Sequence, residues 1–354
     1  MTPTSPLCHP TMHPRISLSA LSLIAVVILG GFSAIGQVSN GGGDMDLSTR
    51  PGTKGKPTTV HIYCVLTDIR DIVDVHQSVE ASIGFFLSWN DPRLAHSGDG
   101  SIHRLLSTIW DPGIVVLNGN EMEVEDDRRV EVRPDGTVIL EQFLRDSFFQ
   151  TFDLRPFPFD RQELEIQFLS IGHVPDDLVI VPHPDWPSRV SPTFSVQDWK
   201  ITGWRTETGI YRLAEDAPGR STFKLIVEAE RGRPYFIFKV ILPMILIMGM
   251  SWLVYWIHPS KVDAQIGVGA TSMLTLIAFR FTVDRLLPEI SYMTRLDLFI
   301  LFSMVLVFAN LTESVATAHL YSSGREGIAI RIDAYGRWLY LVVLTAVIFF
   351  TLMI

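Results

Sequence analysis

The 354-residue chain predicts an extracellular antiparallel β-sandwich of immunoglobulin type, followed by a four-helix transmembrane bundle. Three observations carry this expectation. Residues 37–232 hold 31 acids and 19 bases, a net charge of −12, whereas the last third carries long uncharged runs. The acidic part is written in short alternating strands separated by turn residues. The final part contains four apolar segments, each near the length that crosses about 30 Å of hydrocarbon. Only 19% of all residues are charged, below the roughly 25% of ordinary soluble domains. A net charge of −9 also argues against a nucleic-acid partner, which needs a basic face.

In chain order, residues 1–36 read as a signal peptide. Arg15 precedes an apolar run from Leu18 to Phe32, and Ala34-Ile35-Gly36 offers a small-x-small cleavage site. The Gly-rich, polar stretch 37–57 reads as a flexible segment. Cys8 falls in the signal, which leaves Cys64 as the one thiol of the mature chain and predicts no internal disulfide.

Residues 58–232 are expected to form the sandwich. Glu163-Leu164-Glu165-Ile166-Gln167-Phe168 alternates strictly, with one face for a core and one for water. Val130-Glu131-Val132 and Thr137-Val138-Ile139-Leu140 flank Arg133-Pro134-Asp135-Gly136, a hairpin with an Asp-Gly turn. Ala81–Trp89 and Phe223–Glu230 read as further strands.

Residues 233–354 form the expected membrane domain, with helices at about 236–257, 264–283, 296–320 and 338–354. Export places the sandwich outside. Arg325, Arg331 and Arg337 between helices three and four then lie inside, as the positive-inside rule asks. Helix two is the most polar of the four. Counting three or four residues at a time from Asp263 gives Gly267, Thr271, Leu274, Ala278, Phe281 and Arg285 on one stripe. An acid at the inner mouth, then small or hydroxyl groups, then apolar groups suit a water-filled pore with a hydrophobic constriction. Small and hydroxyl residues suit close helix packing equally well. The pore reading requires a ring of subunits, because one helix encloses nothing. Arg280 falls off the stripe and reads as a paired or snorkelling side chain.

Taken together, these residues resemble the pentameric ligand-gated ion channels, also called Cys-loop receptors. Phe157-Pro158-Phe159-Asp160 is similar to the core of the family's signature loop. Animal members close this loop with two cysteines, whose positions are Gln150 and Leu164 here, so the resemblance is to the prokaryotic type without the disulfide. Phe86-Leu87-Ser88-Trp89-Asn90-Asp91, Trp110-Asp111-Pro112, Arg233-Pro234-Tyr235-Phe236, Ile241-Leu242-Pro243 and Leu287-Pro288 also match family segments.

The resemblance implies a homopentamer in a cell membrane, bacterial inner membrane by its prokaryotic type. It implies a pore that passes monovalent cations, and contact with membrane lipids. Asp263 corresponds to the acidic ring of cation-selective members and Leu274 to the mid-pore hydrophobic ring. Asp74, Asp160 and Arg233 correspond to the contact that couples the sandwich to the helices. The turn 156–159 is expected to meet the outer end of helix two near Leu286, Leu287 and Pro288. Agonist sites in the family lie between extracellular domains, where this chain offers Leu117, His173 and Tyr211. His173 and Tyr211 are the candidate ligand residues, and the agonist is a small molecule or a proton.

Asp176, Asp177, His183 and Asp185 read as a solvated loop or as a proton or metal site, and Glu121, Glu123, Glu125, Asp126 and Asp127 as a solvated loop, a cation-concentrating vestibule or a divalent-ion site. The identity of any metal stays open, and no cofactor is expected. Two other function classes compete. A membrane-anchored enzyme lacks support, because no zincin, P-loop or nucleophile-elbow motif is present. A non-conducting sensor or adhesion module does not require Asp263, Thr271 and Leu274 on one helical face.

Overall fold

A computed structural model describes residues 46–52, 55–120, 128–286 and 290–353 of the chain. The expected signal peptide, the acidic run at 121–127 and Pro288 lie outside the described residues.

Among the described residues, eleven strands form the part before residue 232: β1 (Thr58–Val73), β2 (Ser78–Asn90), β3 (Ile102–Leu105), β4 (Ile114–Val116), β5 (Arg129–Val132), β6 (Thr137–Phe149), β7 (Arg161–Ser170), β8 (Leu178–Pro182), β9 (Arg189–Val190), β10 (Trp199–Tyr211) and β11 (Arg220–Arg231). One sheet runs β3-β5-β6-β2-β1-β8 with β9 beside β1, and the other runs β10-β11-β7-β4. Pairing is antiparallel except that β8 and β9 run parallel to β1. Strand alternation builds the core, since Leu164, Ile166 and Phe168 are buried while Glu163 and Glu165 are not. Phe85 of the first sheet meets Phe168 of the second at 5.1 Å between ring centroids. The Arg133–Gly136 turn joins β5 to β6, and Gly136 at φ 84° takes a left-handed conformation there. A Cβ at Gly136 would lie 2.5 Å from the Asp91 carbonyl oxygen, so the close approach requires glycine.

Among the described residues, four helices long and apolar enough to cross a membrane follow: α1 (Arg233–Trp256), α2 (Val262–Val283), α3 (Arg295–Ser322) and α4 (Glu326–Leu352). Helix α1 widens into a π-helical turn at Ile237–Ile241 just before Pro243, whose ring cannot accept the regular pitch of the preceding turn.

Helix α4 departs from the expected start at 338, beginning twelve residues earlier at Glu326. By sequence this stretch, with Arg325, Arg331 and Arg337, reads as the segment between helices three and four. In the folded chain Ala329, Asp333, Tyr340 and Leu344 form a buried stripe at helical spacing while Arg331 points outward. Gly336 lets α4 approach α1 closely, because a Cβ there would lie 2.5 Å from the Tyr255 ring.

Candidate functional site

Helix α2 has one face packed and one face open. Gln265, Gly269, Ser272, Leu276 and Val283 are buried. Asp263, Gly267, Thr271, Leu274, Ala278 and Phe281 all lie on the exposed side, with Leu274 68% and Phe281 65% exposed. The two glycines differ accordingly. A Cβ on Gly269 would lie 3.0 Å from Leu311 of α3, whereas one on Gly267 would meet nothing within 4 Å. Thr271 and Thr275 donate their hydroxyls to the carbonyls of Gly267 and Thr271, at 2.7 and 2.8 Å. These hydroxyls are satisfied within their own helix, so α2 can present them to water without a partner helix. Arg280 pairs with Asp284 at 3.5 Å, which resolves its reading in favour of an ion pair.

The junction above α2 corrects one assignment. Arg231, not Arg233, stands between Asp74 and Asp160. Its Nε donates to Asp160 Oδ1 at 2.7 Å, and its two terminal nitrogens donate to the two oxygens of Asp74 at 2.7 Å each. Asp160 is fully buried and Arg231 is 5% exposed. The guanidinium also lies 4.2 Å from the ring centre of Trp199 and 4.8 Å from that of Phe157. Gln162 donates its amide to Asp160 Oδ2 at 2.7 Å and to the Asp153 carbonyl at 2.9 Å. Burial pushes the Asp74 carboxyl above the usual carboxylate range, against the pull of Arg231.

Arg233 instead bonds Glu230 at 2.7 Å on the surface. The physical reason is strand phase. In β11, Val227, Ala229 and Arg231 point inward, and Gly232 then ends the strand so that Arg233 opens α1 facing outward. A charged residue continuing an inward period-2 series was the signal that sequence reasoning missed.

Phe157 is fully buried, Pro158 is buried, Phe159 is partly buried, and the Phe157–Pro158 peptide is cis. Phe157 packs edge-on to Phe236 of α1 at 4.9 Å. The loop reaches the membrane domain mainly at α3. The carbonyls of Arg155 and Phe157 accept from the backbone N–H groups of Arg295 and Leu296, at 3.0 and 3.3 Å. They thereby occupy donors that a helix start leaves without partners. Tyr292 adds its hydroxyl to the Leu154 N–H at 3.1 Å, and Arg155 lies 4.7 Å over its ring. Thr294 and Asp297 close a capping box on the same turn. Of the expected contact with the end of helix two, Leu287 and Pro288 lie outside the described residues.

The loop neck is held by Gln150. Its amide donates to the Glu163 carbonyl and accepts from the Glu165 N–H, both at 2.6 Å, on either side of Leu164. Cys64 is a buried free thiol, which burial pushes up.

The expected ligand residues are not brought together within one subunit. His173 is half-buried, 5.4 Å from the ring of Trp110, and burial holds it below the ordinary histidine value. Tyr211 ends β10 opposite Arg220. Among the described residues, no ring contact joins the two. His183 stacks on Trp186 at 4.3 Å and accepts the N–H groups of Asp185 and Trp186 on Nδ1. This favours the solvated-loop reading, and the described residues hold no group of three or more metal-ligating side chains.

Comparison with known proteins agrees with this architecture. The family profile described as the neurotransmitter-gated ion-channel ligand binding domain matches residues 43–221, and the one for the neurotransmitter-gated ion-channel transmembrane region matches residues 240–326. The chain is 26% identical over 293 residues to a gamma-aminobutyric acid receptor subunit beta of Caenorhabditis elegans, covering 80% of this chain and 53% of the relative. It is 26% identical over 303 residues to the subunit of the same name from Lymnaea stagnalis, covering 79% and 60%. A beta-like subunit of Drosophila melanogaster matches at 26% over 296 residues, covering 78% and 59%. The chain thus spans between about half and three fifths of the length of these curated relatives. A sandwich outside the membrane, four spanning helices and two family profiles that together cover most of the chain lead to one conclusion: the chain is a multi-pass membrane protein of the neurotransmitter-gated ion-channel family, a family of channels and not of enzymes.

Proposed function

We propose that the chain is the subunit of a homopentameric, ligand-gated channel for monovalent cations, of the prokaryotic type without a loop disulfide. The observation that carries this reading is the division of α2 into a packed face and an open stripe running from Asp263 to Phe281. Five copies of that stripe around one axis make a ring of carboxylates at the inner mouth, which concentrates cations and repels anions. Five copies of Leu274 make a constriction narrow and apolar enough to lose its water, which stops ions without a plug.

An agonist, a small molecule or a proton, binds between neighbouring sandwiches on a face that includes His173 and Tyr211. The resulting movement of the sandwich reaches the membrane through two contacts. One is the Asp74–Arg231–Asp160 bridge, carried on the β1–β2 turn, the 150–164 loop and the strand that leads into α1. The other is the loop's hold on the first turn of α3. Helix α3 packs on the buried face of α2, so a shift of its outer end tilts the pore helix.

Reconstitution in a planar bilayer with asymmetric salt tests the selectivity. Wild type should reverse near the cation equilibrium potential, and Asp263→Arg should move the reversal potential toward the anion value. An unchanged reversal potential in Asp263→Arg would remove Asp263 from the ion path.

A further inference from the structure

The pore and the junction use none of the charged residues buried in the inner half of the bundle. There Glu313 of α3 and Asp333 of α4 lie within hydrogen-bond reach of one another. Asp333 is 5% exposed. Each carboxyl has one oxygen, Oε1 of Glu313 and Oδ1 of Asp333, that is enclosed and has no donor. Native proteins rarely leave buried oxygens in that state. Two carboxylates at hydrogen-bond distance in a site of low dielectric cannot both stay ionised. One proton held between them removes one charge and supplies the missing donor.

The surroundings fit a pair carrying a single negative charge. Arg337 of α4 is the neighbouring cation, held by its bond to the Tyr255 carbonyl at 2.9 Å and lying 4.0 Å over the Trp256 ring. With one proton on the pair, Glu313, Asp333 and Arg337 together sum to zero charge, which a membrane interior favours. The other groups facing the pair are the Thr317 hydroxyl of α3, Tyr255 of α1 and the Gln265 amide of α2.

Gln265 connects the pair to the pore helix. Its amide is 3.5 Å from Asp333 Oδ2 and donates to the Ile257 carbonyl at the end of α1 at 2.7 Å. It stands two residues after Asp263, so whatever sets its position also sets the inner mouth. Asp333 lies seven residues from the inner end of α4, or about 10 Å at 1.5 Å per residue, within reach of the inner solution.

We propose that Glu313 and Asp333 form a proton-binding site that exchanges one proton with the inner aqueous side and, through Gln265, sets the position of the inner end of the pore helix. The second half of this statement rests on the channel reading, and the first does not. Loss of the proton returns it to the inner solution and leaves two like charges on α3 and α4, which push the helices apart and release Gln265.

Infrared difference spectroscopy of the purified protein in lipid nanodiscs tests the site without any current. Wild type should keep a protonated-carboxyl stretching band at neutral pH. The band should be lost in Glu313→Gln and in Asp333→Asn, whose amides supply a donor in place of the proton, and kept in Asp284→Asn. Absence of the band in wild type, or its survival in both pair variants, overturns the site. In bilayers, alkaline solution on the inner side should change the open probability of wild type and leave Glu313→Gln unmoved. An equal response in both overturns the link to the pore helix. A band that behaves as expected in a protein that never conducts supports the site and contradicts the channel reading.

Discussion

Arg231 ends β11 at the foot of the sandwich, two residues before α1 begins. Its guanidinium is buried, hydrogen-bonded to two carboxylates and flanked by the rings of Trp199 and Phe157. Removing one member of such a cluster leaves buried charges unpaired, a cost of about 3–5 kcal/mol. Arg233, more than half exposed and paired only with Glu230, belongs to a surface class worth about 0–1 kcal/mol. Arg231→Ala should therefore reduce the pentamer recovered at the surface, or the current per pentamer, by at least tenfold. Arg233→Ala should resemble wild type in both. Comparing surface pentamer with agonist-evoked current in the two variants checks the assignment, and the opposite ranking would return the coupling role to Arg233.

His173 gives a pH dependence whose sign follows from its surroundings. Burial disfavours its charged form, and a hydrogen bond to the Asp111 backbone opposes this only in part, so the folded chain holds it neutral. As pH falls below about 6.5 the unfolded chain takes up the proton first. The stability His173 contributes is thus present above that pH and is lost as pH drops through its lower folded value. Thermal unfolding followed from neutral to acidic pH should show a steeper loss in wild type than in His173→Gln. Parallel curves would mean that His173 carries no such linkage.

Among the elements, those with a clean period were legible from sequence. The alternation of β7 and the Asp-Gly turn between β5 and β6 fall where the pattern places them. The apolar runs of α1, α2 and α3 lie within three residues of each end of those helices, since length and hydropathy alone decide a span. The start of helix α4 is hidden from a hydropathy argument because its first twelve residues include Arg331, Asp333 and Arg337, and such an argument treats charge as exposure. What the pattern could not convey is that Asp333 is buried with a partner on another helix. The same blindness moved the coupling arginine by two positions, since a motif match fixes a neighbourhood and strand phase fixes the side chain. The docking of the 150–164 loop on α3 was equally hidden, because it uses backbone carbonyls, which carry no sequence signal. Gln150 bridging the loop neck belongs with these, for a hydrogen-bonded clasp has no spacing rule as a cysteine pair does.

At the scale of the whole molecule, charge and apolarity are divided between two parts, an acidic sandwich outside and a bundle whose charges are few. The division suits a device in which binding occurs in water and the response occurs in lipid. One subunit leaves the Asp263–Phe281 stripe of α2 open, and a ring of subunits turns those open faces toward a common axis. That the open face of α2 lines a water-filled ion path is the central claim. Cysteine accessibility tests it most directly, on a background where the native Cys64 is buried and inert. Thr271 is exposed and Ser272, its neighbour in sequence, is fully buried against the bundle. A charged, water-soluble thiol reagent applied to open channels should block Thr271→Cys irreversibly and leave the Ser272→Cys current intact. Block at Ser272→Cys with none at Thr271→Cys would contradict the account, because the ions would then pass along the other face of the helix.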